Sequence, residues 1–486
     1  MTYQTRNEDQ NKQPETKANF RGYKRREVPD FDAELTATDG GTVMGEQMRL
    51  FWQPVCLSEE LKDVPKAIRI LGEDLVAFRD LSGNIGVMHR HCAHRGASLE
   101  YGIIAKNGIR CCYHGWHYDL DGTLLSAPCE PDKGQRLKQT VCQGAYPAFE
   151  RDGLVFAYMG PPEKQPPFPV FDSYHLPAGT KLAPFSNIYP CNWLQVYENI
   201  MDHLHTSILH NRMVAEGISD DIADEMSLDT FSGELPLMQW EPTRNGNGMV
   251  FIACRRKSND RVWIRITEML FPNYLQIGST VTTAESVRHS TTGLTRWHVP
   301  VDDTNMIIFG WRHFNDEVDP DNLGNPAECG VDKVDFLGGQ SGGRSYEEAQ
   351  RAPGDWEALC SQRAIAVHAL ENPATSDVGV YMCRKLLRDM VRGKTDADPL
   401  HQNLQESEKS MPLYAQDSVL RIKRLDSPEE DNKLVKQLGK QVLNIMRSAD
   451  PLPANERDAH IRSELDKLDG DYYQETDVQD AFEIET

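Results

Sequence analysis

Between residues 92 and 114 four soft-metal donors stand in a fixed order, Cys92-Ala-His94 and, sixteen residues later, Cys111-Cys112-Tyr113-His114. Four donors on two loops can converge only where the chain doubles back, so this stretch limits the local fold before any strand is assigned. Two thiolates and two neutral imidazoles suit a Cys2His2 zinc site or an iron-sulfur centre. Replacing two of four thiolates by imidazole leaves an iron cluster less negative and easier to reduce. The order of the donors and their loop context favour iron-sulfur. Gly96 and Gly115 are expected to let the backbone pass close to inorganic sulfur, where a Cβ would crowd it. Counting back from His114 selects Cys111 as the ligand and leaves Cys112 as a packed thiol.

Around these loops, Ala67–Leu71, Asp74–Phe78 and Ile85–Met88 alternate apolar and polar residues and are separated by Gly72 and Gly83, so residues 41–160 read as a small antiparallel β domain. The prolines of Gly160-Pro-Pro-Glu-Lys-Gln-Pro-Pro-Phe-Pro169 forbid helix and mark the clearest boundary. Residues 161–450 mix strand-like pieces (Met249–Cys254, Val262–Thr267, Tyr274–Ile277, Asn305–Gly310) with helical stretches at Trp356–Met390 and Lys433–Met446, the pattern of an α+β domain with an antiparallel sheet. Residues 1–40 read as a polar, charged segment, poorly ordered at its start, residues 451–486 as an acidic tail, flexible from Asp466 on, and Glu216–Glu234 and Gly338–Gly343 as solvated loops.

At 486 residues the chain exceeds one compact core. A net charge of -22 argues against nucleic-acid and anionic-membrane partners. No apolar run approaches the roughly 20 residues of a membrane span and the N-terminus lacks a leader-like apolar segment, so a cytoplasmic location is expected. The eleven cysteines then read as reduced thiols and metal ligands.

A second constellation occupies Asn192–His210. Asp202 and His205 share a helical face, whereas His210 lies about 140° further round at ~100° per residue, so both imidazoles meet one ion only where the helix loosens. Two such histidines with one remote carboxylate make a facial triad with open positions, suited to Fe(II) that must bind O2.

Together these motifs resemble those of Rieske non-haem iron aromatic-ring-hydroxylating oxygenases, in particular the phthalate-dioxygenase-like group. Glu198-Asn199-x-x-Asp202-x-x-His205-x-x-x-x-His210 matches the catalytic motif of that family residue for residue. Ala97 and Tyr113 stand where respiratory Rieske proteins carry two further cysteines, which implies a lower-potential cluster. The resemblance implies a Rieske [2Fe-2S] cluster on Cys92, His94, Cys111 and His114; mononuclear Fe(II) on His205, His210 and Asp355; catalytic roles for Asn199 and Asp202; and a helix-grip, START-like catalytic domain. It also implies a head-to-tail homotrimer in which Asp202 bridges His205 to His114 of the partner subunit, and a small aromatic substrate, a carboxylate among the candidates, bound near Arg255 and Arg256. No dinucleotide fingerprint is present, so electrons must come from a separate NAD(P)H-dependent reductase, flavin- and iron-sulfur-containing by resemblance. The rival readings are a Rieske electron-transfer protein with a non-catalytic binding domain and a zinc-stabilised interaction protein; both leave the triad residues unexplained.

Overall fold

The computed structural model describes residues 28–174, 179–210, 235–278, 289–319, 322, 324–335, 339–395 and 410–483. Three antiparallel sheets build the small domain. β1 (Trp52–Leu57), β10 (Ala148–Arg151) and β11 (Leu154–Tyr158) form one; β2 (Lys66–Ile70), β3 (Glu73–Arg79), β4 (Ile85–His89) and β9 (Ala145–Tyr146) form the next; β5 (Ile103–Ile104), β6 (Ile109–Arg110), β7 (His117–Tyr118) and β8 (Leu124–Ser126) form the third. Val76, Phe78 and Met88 of the second sheet share a small core with Cys92, Cys111, Trp116 and Tyr118, so the two loops that carry the Cys and His donors rest directly on packed side chains.

The larger domain is a nine-stranded antiparallel sheet. Its main path runs β12 (Lys181–Tyr189), β19 (Asn305–Phe314), β18 (Leu294–Asp302), β16 (Tyr274–Ile277), β15 (Arg261–Leu270), β14 (Gly248–Ser258) and β13 (Leu237–Thr243), with β17 (His289–Ser290) paired to β20 (Gln416–Arg421), which joins β15. Strand alternation divides its residues between two faces. Val250, Ile252, Cys254, Val262, Ile264 and Ile266 pack against Val435, Leu438, Val442, Leu443 and Met446, the apolar stripe of the helix Pro428–Ser448. That helix starts at a Ser427 cap followed by proline, and approaches the sheet so closely at Gly439 that a Cβ there would lie 2.5 Å from Cys254 Sγ. The intervening residues Phe251, Arg255, Trp263, Arg265 and Thr267 face a cavity on the other side.

The two domains meet along β1, β11 and the far edge of the sheet. Phe156, Trp297 and Trp311 stack edge to face there, at 5.4 and 5.1 Å between successive centroids where they touch, and the Trp311 indole N–H donates to the Asp152 carbonyl at 2.9 Å.

In the polar N-terminal segment, Asp32 and Glu34 form ion pairs with Arg388 of the helix Val378–Val391 and with Arg392 just past its end, and Leu35 is fully buried. Two segments depart from the sequence reading. The acidic C-terminal stretch is one helix, Ala454–Glu483, rather than a flexible tail: Ile461 and Leu465 enter the core behind the sheet, and buried Asp469 holds Arg421. Its charges mask an apolar stripe too sparse to recognise without its partner. The glycine-rich segment, read as solvated, is exposed at Gly342 and Gly343 but buried at Gly339 and Gln340, where it packs against the main chain at Gly354 so closely that a Cβ on Gly339 would come within 2.6 Å of Gly354 Cα. Gly338 and the acidic stretch Glu216–Glu234 lie outside the described residues. No described helix is long and apolar enough to cross a membrane.

Candidate active site

Each cluster loop closes on its glycine. The Gly96 N–H donates to Cys92 O at 2.9 Å and the Gly115 N–H to Cys111 O at 3.0 Å, with φ of +75° and +72°. A Cβ on Gly96 would meet nothing within 4 Å, so the left-handed backbone accounts for glycine there; at Gly115 a Cβ would also press on Pro128 at 2.9 Å. Cys92 and Cys111 are buried, while His94 and His114 stand half-exposed with ring centroids 4.6 Å apart. Trp116 stacks on His94 at 4.4 Å, and the Tyr118 hydroxyl lies 3.1 Å from Cys92 Sγ. Cys112 is exposed, not packed, so only Cys111 faces inward.

Two buried thiols and two half-exposed imidazoles from two facing loops are a donor set that would hold a two-iron cluster.

The second site depends on a broken helix. Asn192 caps the helix Trp193–Glu198; the chain tightens into a 3-10 turn at Asn199–Met201, leaves helical geometry at Asp202 (φ -93°, ψ 79°) and resumes as a 3-10 turn from His203 to Ser207. This break supplies the loosening that the His205–His210 spacing requires, and the two rings meet at 5.1 Å and 75°. Asp355, first residue of the helix Asp355–Cys360, places Oδ1 3.1 Å from His210 Nε2 and 3.5 Å from His205 Nε2. Its burial opposes ionisation, but the His210 hydrogen bond and the two imidazoles outweigh that and hold the carboxyl far below the usual range. The three ligand atoms lie within 4.8 Å of one another, two nitrogens and an oxygen on one side of an open space, which fits Fe(II). A second group of the same reach, Glu198, His368 and Glu371, is closed by Arg384, which donates to both glutamates at 2.5–2.8 Å.

Gln340 is one of the site residues that sequence reasoning missed. Its amide donates to Asp355 Oδ2 at 2.8 Å and its own oxygen lies 3.5 Å from the Tyr189 hydroxyl. It lies in the glycine-rich segment, where no local pattern points to a partner fifteen residues away. Asn199 lines the cavity beside the triad. The Asp202 carboxylate is only partly buried, with Oδ2 4.0 Å from His205 Nδ1; that nitrogen faces the Asp202 backbone carbonyl instead.

The two candidate substrate arginines part company. Arg255 reaches the cavity, donating to His203 Nε2 at 2.9 Å and Thr206 Oγ1 at 3.3 Å with its guanidinium over Trp263; burial, then Arg265, lowers its pKa to about 9. Accepting that bond leaves His203 neutral at Nε2, as its burial also demands. Arg256, one residue on, emerges on the opposite face of the sheet, pairs with Asp431 and does not join the site. Val196, Ile200, Phe251, Ile277, Ile308 and Leu359 give the cavity an apolar wall, and its volume of about 130 Å³ is close to the ~150 Å³ of an engineered cavity that takes up benzene.

Residues 51–143 match the Rieske [2Fe-2S] domain family and residues 157–324 the family described as LigXa C-terminal domain like. The chain is 56% identical over 454 residues (93% of its length and 96% of the relative) to a tert-butanol monooxygenase / tert-amyl alcohol desaturase oxygenase subunit of Aquincola tertiaricarbonis. It is 37% identical to the alpha subunit of phenoxybenzoate dioxygenase of Ectopseudomonas oleovorans, over 74% of this chain and 84% of that one. Among solved structures, dicamba monooxygenase bound to dicamba superposes with a TM-score of 0.52 at 16% identity, over 71% of this chain and 98% of that one, a likeness of fold. Two-domain architecture, paired metal motifs and near full-length identity to an oxygenase subunit agree: the chain belongs to the Rieske non-haem iron oxygenases, as an alpha subunit using a [2Fe-2S] cluster, non-haem iron and O2.

Proposed function

We propose that this oxygenase hydroxylates a C–H bond of a compact neutral alcohol. The small apolar-walled cavity beside the triad carries this reading, and the 56% identity to a subunit named for tert-butanol supports it. The reaction balances as R–H plus O2, two electrons and two protons giving R–OH and water. Cys92, His94, Cys111 and His114 would hold the cluster and His205, His210 and Asp355 the mononuclear iron, within functional domains spanning 41–160 and 161–450. When bound, the cluster supplies stored electrons and the iron a place for O2 to be reduced. The chain's own part is positional: Gln340 fixes Asp355, Arg255 holds neutral His203 beside the ligands, and the apolar wall excludes water.

Electrons come from a separate NAD(P)H-dependent reductase. They pass between subunits of a head-to-tail trimer, with Asp202 linking His205 to His114 of the partner subunit. Asp202 and His114 are both partly exposed, as such a link requires. Asp202→Asn keeps both metals and lowers coupled turnover by about 10- to 100-fold; product formed per NAD(P)H at the wild-type rate would remove the bridging role.

A second reading, an aromatic carboxylate, is favoured by the positive wall of Arg255, Arg265 and Arg296. Iron, zinc and acid-labile sulfide per chain, measured on anaerobically purified protein, test the metal assignment. Single turnover of the reduced protein under ¹⁸O2 with tert-butanol, and separately with benzoate, tests the substrate: label in a diol supports the alcohol, label only in an aromatic product the alternative.

A further inference from the structure

Two fully buried polar side chains on the cavity wall have no hydrogen-bond partner among the described residues: His298 on β18, at both ring nitrogens, and Thr267 on β15, at its hydroxyl. An unpaired buried polar group is a cost a fold ordinarily avoids, and its retention beside a metal triad calls for a ligand.

The main chain of His298 is held in place: its backbone N–H donates to the Asn273 carbonyl at 2.9 Å, its backbone carbonyl accepts from Asn273 Nδ2 at 3.0 Å, and that amide also donates to Gln53 Oε1 of β1 at 2.7 Å. The neighbouring Trp297 packs with Phe156 and Trp311 on the opposite face, so alternation presents the imidazole to the cavity, against Tyr197 at 5.3 Å. Burial, then the charge of Arg296, keeps this imidazole neutral. The donor and the acceptor of a neutral imidazole point to opposite sides of the ring, so one small hydroxyl engages one of them; an alcohol can do so either way, donating to the bare nitrogen or accepting from the N–H, whereas a carboxylate can only accept from the N–H.

Register separates the two orphaned groups. Met269 pairs with Leu275 and Leu275 with Arg296, so Thr267 and His298 stand four residues apart along strands that have β16 between them, on the order of 13 Å along the strand direction. One small hydroxyl cannot meet both. The His298 ring lies against the helix that leads into Asn199 and the triad, and it has two unpaired atoms to Thr267's one.

We propose that His298 is the specificity-determining residue of the site, hydrogen-bonding the hydroxyl of a compact neutral alcohol whose hydrocarbon part lies on the apolar wall. The inference rests on the alcohol reading above and is separable from it. On the holoenzyme without oxygen, the Kd of tert-butanol is measured by ligand-observed NMR, with isobutane as the hydroxyl-free probe and benzoate as the anionic one; KM and kcat follow with oxygen. His298→Leu, or His298→Phe should the leucine variant not fold, raises the Kd and KM for tert-butanol by roughly 3- to 10-fold and leaves isobutane binding unchanged. His298→Gln, which keeps a donor and an acceptor, recovers most of the affinity, and Thr267→Val has the smaller effect. Without ligand the apolar variants melt at or above the wild-type temperature, because each removes an unpaired polar group. Unchanged tert-butanol affinity in the His298 variants, equal weakening of both neutral probes, or a larger loss from Thr267→Val would overturn the assignment while the alcohol reading stands. Wild-type protein that ignores tert-butanol, or binds benzoate more tightly, would overturn the alcohol reading and the assignment with it.

Discussion

The proposed cluster loops draw all four donors from residues 92–114 and close by backbone bonds across two glycine turns, whereas the proposed iron site joins His210 to a carboxylate 145 residues downstream. In the first, ligand geometry is a property of a short stretch of chain resting on its own small core. In the second it depends on a helix that breaks at Asp202, on a second helix that begins at Asp355, and on a loop side chain, Gln340, that fixes the carboxylate. Damage should therefore stay confined at the cluster and spread from remote positions at the iron.

The sharpest separation comes from removing one ligand at each site. Asp355→Ala should lose the mononuclear iron and bring turnover to background, a larger loss than the roughly 100-fold ceiling usual for outer-shell changes, while the cluster's visible and EPR spectra persist. Cys111→Ser should do the reverse, abolishing those spectra and loosening the small core, with mononuclear iron retained. Loss of the cluster signal in Asp355→Ala would break the comparison, since it would make the two sites one cooperative unit. Next in size, Gln340→Leu leaves Asp355 Oδ2 without its donor and should lower iron affinity or turnover by about 10- to 100-fold, read by iron titration of the apoprotein; unchanged affinity would show that the helix alone sets the carboxylate.

The same contrast explains what could be read in advance. Spacing alone singled out the four donors proposed for the cluster and the two histidines proposed for iron, because turn closure and helical phase are local. Asp355 needed a family resemblance, since nothing within its own segment separates a ligand from an ordinary helix-start acid. Gln340 was hidden because a glycine-rich stretch looks solvated until its partner, the main chain at Gly354, is in place. Arg255 and Arg256 were adjacent equals in sequence; only the sheet, by sending them to opposite faces, gave them different partners. The C-terminal helix escaped for a related reason, since Ile461 and Leu465 gain meaning only from the sheet behind which they pack.

A third effect belongs to the small domain alone. Glu73 accepts from Tyr146 at 2.6 Å and from Arg49 at 3.1 Å, and lies 3.3 Å from His89 Nε2. Burial raises its pKa, but the bonds from His89, Tyr146 and Arg49 prevail and hold it at about 2; the same bond to Glu73 raises that of His89. Glu73→Gln should cost about 1–3 kcal/mol near neutral pH, mostly through the buried Arg49 guanidinium left without a counter-charge. The sign follows from linkage. The Glu73 contribution is present above its unfolded value near 4.3 and is lost as pH falls towards 2; the His89 contribution is present below about 6.5 and is lost as pH rises through its elevated folded value. The stability gap between wild type and variant should thus be widest between about pH 4.5 and 6.5, as denaturant melts of the cluster absorbance would show. A gap independent of pH would mean that the variant acts through packing.

The smallest effect tests how local the cluster site is. Gly96 and Gly115 occupy equivalent left-handed turns, yet only at Gly115 would a Cβ press on Pro128. Gly96→Ala should therefore cost about 1–2 kcal/mol from backbone conformation alone, and Gly115→Ala the same amount plus the contact. Both should lower the temperature at which the cluster absorbance is lost without changing iron binding at the triad. Equal losses would mean that Pro128 yields and that conformation is the whole cost. A Gly96→Ala loss well above the backbone value would reveal a crowding partner at the cluster itself, in the space where the protein alone offers a Cβ no neighbour within 4 Å.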